Sequence, residues 1–244
     1  MRYGRVVWKA VSELYYRGQL WVLRQIFRGS YSRFYRQFMR LSARRDPKAA
    51  VGGLWEELGR LQFDFLRNEG LCPHHRLLDI GCGALRAGVH FIGYLAPGHY
   101  TGIDISEHIL EAGSKMLPAG LLRERRPRLL RNRDLLLREF EDASFDFVLA
   151  QSVFTHMPLT DVQQCIASLP RVLRENGRFY FTIFEDQRER YVSGAENFYY
   201  PPQTLDCLCR RSGLQLTRVD EFVHPRHQAM FRAAKKPDGR DSDL

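Results

Sequence analysis

Short apolar stretches and helix-like stretches alternate along the middle of the chain. Runs of apolar residues predict five strands, at Arg76 to Ile80, Tyr100 to Asp104, Arg128 to Arg131, Phe145 to Ala150 and Phe179 to Phe184. Apolar residues spaced by three and four predict the helices between them, at about Leu85 to Leu95, Glu107 to Leu117 and Thr160 to Arg174. Thr160 with Gln163 has the pattern of a capping box, and Pro170 is expected to bend the third helix. This alternation is typical of a parallel α/β sheet.

The two ends of the chain depart from the alternation. A helix at about Gln203 to Ser212 is followed by residues 214–222 and 228–234, which predict two consecutive strands. Strands so close in sequence pair as an antiparallel edge. Another helix is predicted before the first strand and ends at Gly70. Residues 235–244 are polar and predict a disordered tail.

The first 50 residues predict a basic, amphipathic helical extension. Its apolar face carries residues at steps of three and four, namely Leu20, Leu23, Phe27, Tyr31, Phe34, Phe38 and Leu41, and its other face is arginine. Residues 1–45 contain eleven Lys and Arg against one Glu, a balance of +10. The other 199 residues therefore carry −1 of the net charge of +9. Because the body is nearly neutral, the charge gives little support to a nucleic-acid partner.

Three roles for this extension fit its composition. It can pack on the core with a solvated charged side, lie on an anionic membrane surface or near acidic glycans or RNA, or target the chain to mitochondria. The apolar runs are too short to cross a bilayer, so we expect a cytoplasmic protein, at most peripheral at the membrane. The five cysteines show neither zinc spacing nor an even disulfide count, and we expect no metal.

A glycine turn after the first predicted strand indicates a bound ligand. Gly81, Cys82 and Gly83 stand where a strand leads into a helix, and glycine lets backbone amides approach a ligand closely. A dinucleotide fingerprint would need a third glycine at position 86, where this chain has Arg86. Asp79, two places before the turn, would repel a pyrophosphate but suits a cationic ammonium or sulfonium.

The second predicted strand ends in an acid. Asp104, with Ile105 beside it, lies where a carboxylate can accept hydrogen bonds from both hydroxyls of a ribose. An acid for a cation, glycines for close approach and an acid for a ribose together predict S-adenosyl-L-methionine as the cofactor.

These motifs resemble the class I S-adenosylmethionine-dependent methyltransferases over about Leu54 to Ala233, with "LLDIGCG", "GIDIS" and "LPRVLRENGRFYFT" in order. The resemblance implies a Rossmann-like sheet of seven mostly parallel strands, the last antiparallel, with helices on both faces. We assign this domain to residues 51–234. The resemblance also implies an acid eleven positions before the Phe of the fourth strand. That position is Asp134, so Asp134 and Leu135 map to the adenine site.

Several residues are candidates to face the cofactor and the acceptor, and Gln151 among them is assigned to the cofactor. Residues after the fourth strand lie at the carboxyl ends of the sheet, where open α/β folds bind ligands, and they include Gln151, Ser152, Phe154 and His156. His156 and His224 are the candidate catalytic bases, because imidazole titrates near neutral pH. Glu185 is a further candidate for acceptor binding. Residues 188–200 have the composition of a mobile lid, with an ordered surface loop as the alternative.

The sequence therefore predicts methyl transfer to a small-molecule or glycan-type acceptor, on oxygen. RNA methylation with the basic extension as the nucleic-acid contact is one alternative. A non-catalytic binding protein that keeps the fold is another. Salt-sensitive affinity would mark the RNA enzyme, and the absence of cofactor binding would mark the non-catalytic protein.

Overall fold

A computed structural model describes residues 15, 18–193 and 196–236. Nine strands within these residues form the central sheet: β1 (Leu77–Ile80), β2 (Tyr100–Asp104), β3 (Arg128–Arg131), β4 (Phe145–Ala150), β5 (Leu173–Glu185), β6 (Arg190–Val192), β7 (Asn197–Tyr200), β8 (Leu214–Val219) and β9 (Ala229–Lys235).

Seven of these strands form the main sheet, in the order β3-β2-β1-β4-β5-β9-β8. The first five run parallel. β9 runs antiparallel to both β5 and β8. The predicted mostly parallel sheet with an antiparallel last strand is thus confirmed. The short strands β6 and β7 form an antiparallel hairpin, and β7 pairs in parallel with the carboxyl end of β5.

Besides a helix at residues 18–26, eight α-helices accompany the strands within the described residues: α1 (Tyr31–Arg45), α2 (Pro47–Ala50), α3 (Trp55–Asn68), α4 (Gly88–Tyr94), α5 (Glu107–Met116), α6 (Leu121–Arg125), α7 (Leu159–Val172) and α8 (Pro202–Arg211). They cover both faces of the sheet because side chains of a strand alternate between faces. Leu78 packs with α7 and α8 residues, whereas its neighbour Leu77 packs with residues of α3 and α4.

The structure corrects three local predictions. The Thr160 capping box does not form, because α7 starts after Pro158, whose φ of −61° already suits the entry to a helix. The connection before β3, in which no helix was predicted, contains α6. Part of the predicted lid, residues 188–200, is the β6–β7 hairpin, since alternate residues of β7 are buried. Lys235 belongs to β9, and the rest of the predicted tail, from residue 237, lies outside the described residues.

The described part of the N-terminal extension packs on the core. Residues 18–26 are helical, and α1 buries Phe34, Met39 and Ala43, the last two packing with Ala84 and Ile109. We call residues 18–53 the cap. Among the helices of the described chain, none combines the length and the apolar character that spanning a membrane requires.

Candidate active site

The turn after β1 requires its two glycines. Gly81 and Gly83 have φ values of +67° and +55°, in the left-handed region that residues with a Cβ rarely adopt. A Cβ on Gly81 would lie 2.5 Å from Cγ2 of Val153, and one on Gly83 would lie 2.5 Å from Cγ1 of Val51. The turn therefore lies tightly between the segment after β4 and the cap.

Asp104 occupies the predicted position at the carboxyl end of β2. Its two carboxylate oxygens accept hydrogen bonds from the backbone N–H of Gly83 (3.1 Å) and of Ser106 (2.8 Å). Burial raises the pKa of the Asp104 carboxyl to about 6, although these two N–H groups act in the opposite direction. Each oxygen keeps a further lone pair, which a ribose hydroxyl can use.

Asp79 lies deeper than the sequence suggested. It is buried in β1, and the hydroxyl of Tyr100 donates a hydrogen bond of 2.7 Å to its carboxylate. Burial raises the pKa of Asp79 to about 7, opposed by that hydrogen bond. Its side chain does not line the cavity that lies between the carboxyl ends of the strands and α1.

A cavity of about 270 Å³ lies between the carboxyl ends of the strands and α1. It brings together seven of the residues predicted from sequence: Gly81, Asp104, Ile105, Asp134, Leu135, Ser152 and His156. Seven others do not line it, namely Asp79, Cys82, Gly83, Gln151, Phe154, Glu185 and His224. The opposite wall comes from α1, through Tyr31, Tyr35 and Met39, which the sequence reasoning missed. Their spacing of four residues places all three on one face of α1, and of the three only Tyr31 belongs to the apolar face predicted from the sequence.

The end of the cavity near β3 is shaped by backbone contacts. The side-chain oxygen of Asn132 accepts a hydrogen bond of 2.8 Å from the N–H of Leu135, and Leu135 has a φ of +54°. Asp134 is exposed, its carboxylate accepts from the N–H of Leu136 (3.1 Å), and its carbonyl accepts from the amide of Gln164. These contacts hold the polar groups of Asn132 and Asp134 beside the apolar side chain of Leu135. Such an arrangement suits a purine ring, which has an apolar face and a polar rim.

A buried polar cluster supports the turn after β4. Gln228 directly precedes β9. Its side-chain oxygen accepts hydrogen bonds from the hydroxyls of Ser152 (2.9 Å) and Thr182 (2.7 Å). The hydroxyl of Thr182 also accepts from the N–H of Ser152 (2.8 Å), which has a left-handed φ of +57°. Gln151 lies beside this cluster, and its buried Oε1 lacks a hydrogen-bond partner among the described residues. The cluster holds Ser152 at the cavity wall in an otherwise unfavourable conformation.

His156 lies at the cavity wall, and one of its ring nitrogens is hydrogen-bonded to the backbone. Its Nδ1 lies 2.8 Å from the carbonyl oxygen of Glu196. Because a carbonyl only accepts, Nδ1 carries the proton and Nε2 is the ring nitrogen able to accept one. Burial, with a smaller effect of the Arg226 cation, lowers the pKa of His156 to about 4. The imidazole is therefore neutral at physiological pH.

The second candidate histidine lies apart from the cavity. His224 is 4% exposed, and its Nδ1 accepts a hydrogen bond of 3.1 Å from the N–H of Arg226. Its Nε2 is buried without a hydrogen-bond partner in the described residues. Burial, helped by the Arg86 cation, lowers the pKa of His224 to about 4. Glu185 pairs with Arg218 and does not line the cavity.

The cap is fastened over the cavity at two places. At one end, Arg24 forms an ion pair with the buried Glu196. At the other, the guanidinium of the buried Arg86 donates to the carbonyls of Val51 (2.7 Å) and Gly53 (3.0 Å). Arg86, which stands where a dinucleotide turn would have glycine, thus holds the cap against the turn.

Comparison with known proteins identifies methyltransferases. Residues 78–181, less than half of the chain, match the family described as a methyltransferase domain. The ubiquinone biosynthesis O-methyltransferase of Aromatoleum aromaticum is 27% identical over 192 residues, 67% of this chain and 74% of that protein. Phosphoethanolamine N-methyltransferase 2 of Caenorhabditis elegans is 27% identical over 159 residues, 62% of this chain and 35% of that protein.

Solved structures share the fold. The 1,6-didemethyltoxoflavin-N1-methyltransferase of Burkholderia thailandensis, solved with 1,6-didemethyltoxoflavin and S-adenosylhomocysteine, superposes with a TM-score of 0.63 at 18% identity. The match covers 83% of this chain and 88% of that one. The magnesium protoporphyrin IX methyltransferase of Synechocystis, with bound SAH, gives a TM-score of 0.58 at 15% identity, covering 75% and 86%. At such identities the likeness concerns the fold alone.

Proposed function

Since this chain is a class I S-adenosylmethionine-dependent methyltransferase, we propose that it methylates a hydroxyl of a small-molecule or glycan-type acceptor. In this proposal residues 1–50 are an extension and residues 51–234 are the catalytic domain. The observation that supports it most is the buried Asp104 carboxylate, which lies beside Gly81 at the wall of a cavity closed by the cap.

The residues present fit the cofactor. The glycine turn leaves no room for a Cβ on either glycine, and Asp104 offers carboxylate lone pairs for a ribose. We assign the ribose to Asp104 and Ile105, and the adenine to Asp134 and Leu135. The methionine part is assigned to Gly81, Cys82, Gly83 and Gln151, with the buried Asp79 as the nearby negative charge. When bound, S-adenosylmethionine supplies an electrophilic methyl group on a sulfonium.

The chain's own part in the reaction is positioning and proton acceptance. Ser152, held by Gln228 and Thr182, can orient a polar group at the cavity wall. His156, with Nδ1 bonded to Glu196, has Nε2 as the nitrogen that can accept the hydroxyl proton. We place His156 first and His224 second as the catalytic base, because only His156 lines the cavity. We propose that no metal takes part, so that a chelator leaves the rate unchanged.

An unbiased labelling experiment tests this function. The enzyme is incubated with methyl-labelled S-adenosylmethionine and a host extract, and labelled products are identified by mass spectrometry. We expect the label on an oxygen of a small molecule or glycan. Label on nitrogen would contradict O-methylation, label in the RNA fraction would support the RNA alternative, and failure to bind the cofactor would contradict catalysis altogether. Asp104→Ala is the negative control.

We further propose that the enzyme acts in the cytoplasm, at the periphery of a membrane. The support is the charge of the extension, +10 over residues 1–45 against −1 for the remainder.

A further inference from the structure

The helix at residues 18–26 has one face turned to the protein and one turned outward. Leu20, Leu23 and Phe27 are half-buried, and Arg24 forms the ion pair with Glu196. On the outward face lie Trp21 and Ile26, which are 63% and 65% exposed, with Val22 and Tyr15 also exposed. An exposed patch of large apolar side chains on one helix face marks a surface that binds an apolar partner.

Helix α1 repeats this two-faced arrangement with arginine outside. Tyr31, Tyr35 and Met39 line the cavity. Arg33, Arg36, Arg40 and Arg44 follow at steps of three and four on the other side of the helix. Arg33 and Arg44 are exposed at the two ends of this row, and Arg36 and Arg40 between them are half-buried beside α5. Residues 18–45 contain seven Arg and no Asp or Glu. The outer face of the cap is therefore an apolar patch beside a stripe of positive charge.

The two features form one continuous surface. Ile26 and Arg33 line the same shallow depression, and Trp21 and Val22 share a groove with Leu41 of α1. Arg36 and Arg40 also reach a cleft of about 130 Å³ that they share with Arg131, whose guanidinium lies 3.6 Å from the Glu107 carboxylate.

We propose that this outer face of the cap docks on an anionic lipid bilayer. Trp21, Val22 and Ile26 enter the interfacial layer, where indole and aliphatic side chains partition favourably, and the arginine stripe lies at the depth of the lipid phosphates. A lipid surface accounts for both features at once, whereas a purely acidic partner would leave the apolar patch exposed. This surface would carry the membrane association that we proposed for the enzyme. The cap, which covers the cavity, would then face the membrane.

Vesicle sedimentation tests the proposal without reference to methyl transfer. Full-length protein is mixed with vesicles of phosphatidylcholine alone or with about 30% phosphatidylglycerol. We expect pelleting only with the anionic vesicles, and weaker binding as salt rises. The triple variant Trp21→Ser, Val22→Ser, Ile26→Ser should lose at least about tenfold in partition coefficient. Its control is Val223→Ser, which removes an apolar side chain that is 79% exposed outside the cap.

Arginine variants test the charge separately. Arg33→Gln with Arg44→Gln should lower the partition coefficient roughly fivefold for each charge removed. Arg123→Gln with Arg211→Gln, exposed arginines of α6 and α8, should leave it unchanged. Equal binding to neutral and anionic vesicles, or unchanged binding of the triple variant, would overturn the proposal. So would a concentration-dependent dimer in light scattering that the triple variant loses, because the patch would then bind a second copy. Since S-adenosylhomocysteine affinity is measured alongside, failure of membrane docking is distinguishable from failure of the methyltransferase assignment.

Discussion

The ring of Tyr35 lies stacked on the imidazole of His156, with ring centroids 5.8 Å apart and an interplanar angle of 21°. Tyr35 belongs to the cap and His156 follows β4, so this contact joins the extension to the proposed catalytic base. Burial, with the nearby Asp104 carboxylate, raises the pKa of Tyr35, which therefore remains a neutral phenol.

The stack yields a first prediction. His156→Ala should lower kcat by about 10² if Nε2 accepts the hydroxyl proton. Tyr35→Leu should lower kcat less, through misplacement of the imidazole, whereas Tyr35→Phe keeps the ring and should stay close to the wild type. Steady-state kinetics with the acceptor found by labelling provides the measurement. A wild-type kcat in His156→Ala would remove this residue from the reaction.

Cofactor affinity should depend on the ionisation of Asp104. Ribose hydroxyls donate to the ionised carboxylate, so protonation opposes binding. With a pKa of about 6 in the free protein, affinity should be constant above about pH 7 and fall up to about tenfold per pH unit below about pH 6. Calorimetry with S-adenosylhomocysteine from pH 5 to 8 measures this.

Three variants identify the carboxyl group that causes this pH dependence. Asp104→Asn should bind weakly at every pH and lose the slope, whereas Asp64→Asn, an exposed carboxylate of α3, should retain it. Asp79→Asn measures any contribution of Asp79, the second carboxyl group whose pKa burial raises. A slope that persists in Asp104→Asn would assign the titration to another group.

Gly81→Ala should destabilise the fold and prevent the cofactor from binding. The substitution places a Cβ 2.5 Å from Val153 at a φ of +67°, which we expect to destabilise the fold by about 1–3 kcal/mol and to abolish cofactor binding. Adding Val153→Ala relieves the clash and should restore part of the stability. Gly93→Ala is the control, since nothing lies within 4 Å of its Cβ position in α4. Urea denaturation measures all three, and a stable, cofactor-binding Gly81→Ala would contradict the tight turn.

His224 should make the fold sensitive to acid. Its pKa is about 4 in the folded protein and about 6.5 when unfolded. Between these values the unfolded chain holds a proton that the folded chain does not. The contribution of His224 to the free energy of unfolding is complete above about pH 6.5. It is lost as the pH falls towards 4, by up to about 1.4 kcal/mol per pH unit. His224→Gln should flatten this slope in denaturation curves, whereas the exposed His74→Gln should not.

The ion pair between Arg24 and Glu196 should hold the cap closed. Glu196 is 3% exposed, and its carboxylate accepts from Arg24 and from Tyr191. Arg24→Ala leaves a buried carboxylate without its cation, which we expect to cost about 1–3 kcal/mol and to speed proteolysis within the cap. Arg28→Ala, exposed nearby, is the control. Equal cleavage rates for both variants would show that the pair does not fasten the cap.

The sequence by itself determined the sheet and the residues at its carboxyl end that we propose to bind the cofactor. Strands are short apolar runs, and glycines and acids at their carboxyl ends reflect local constraints on backbone and charge. Gly81, Asp104 and Asp134 could therefore be assigned from spacing and resemblance.

Only the tertiary structure decided what closes the cavity. The stacking of Tyr35 on His156, the pair of Arg24 with Glu196 and the contact of Val51 with Gly83 join residues far apart in the chain. No local pattern encodes such contacts, because they arise from how the cap packs on a sheet already formed. For the same reason burial placed Asp79 and His224 away from the cavity that their positions in the sequence suggested. A periodic apolar face predicts that a helix packs, but the partner is decided by the surface it meets.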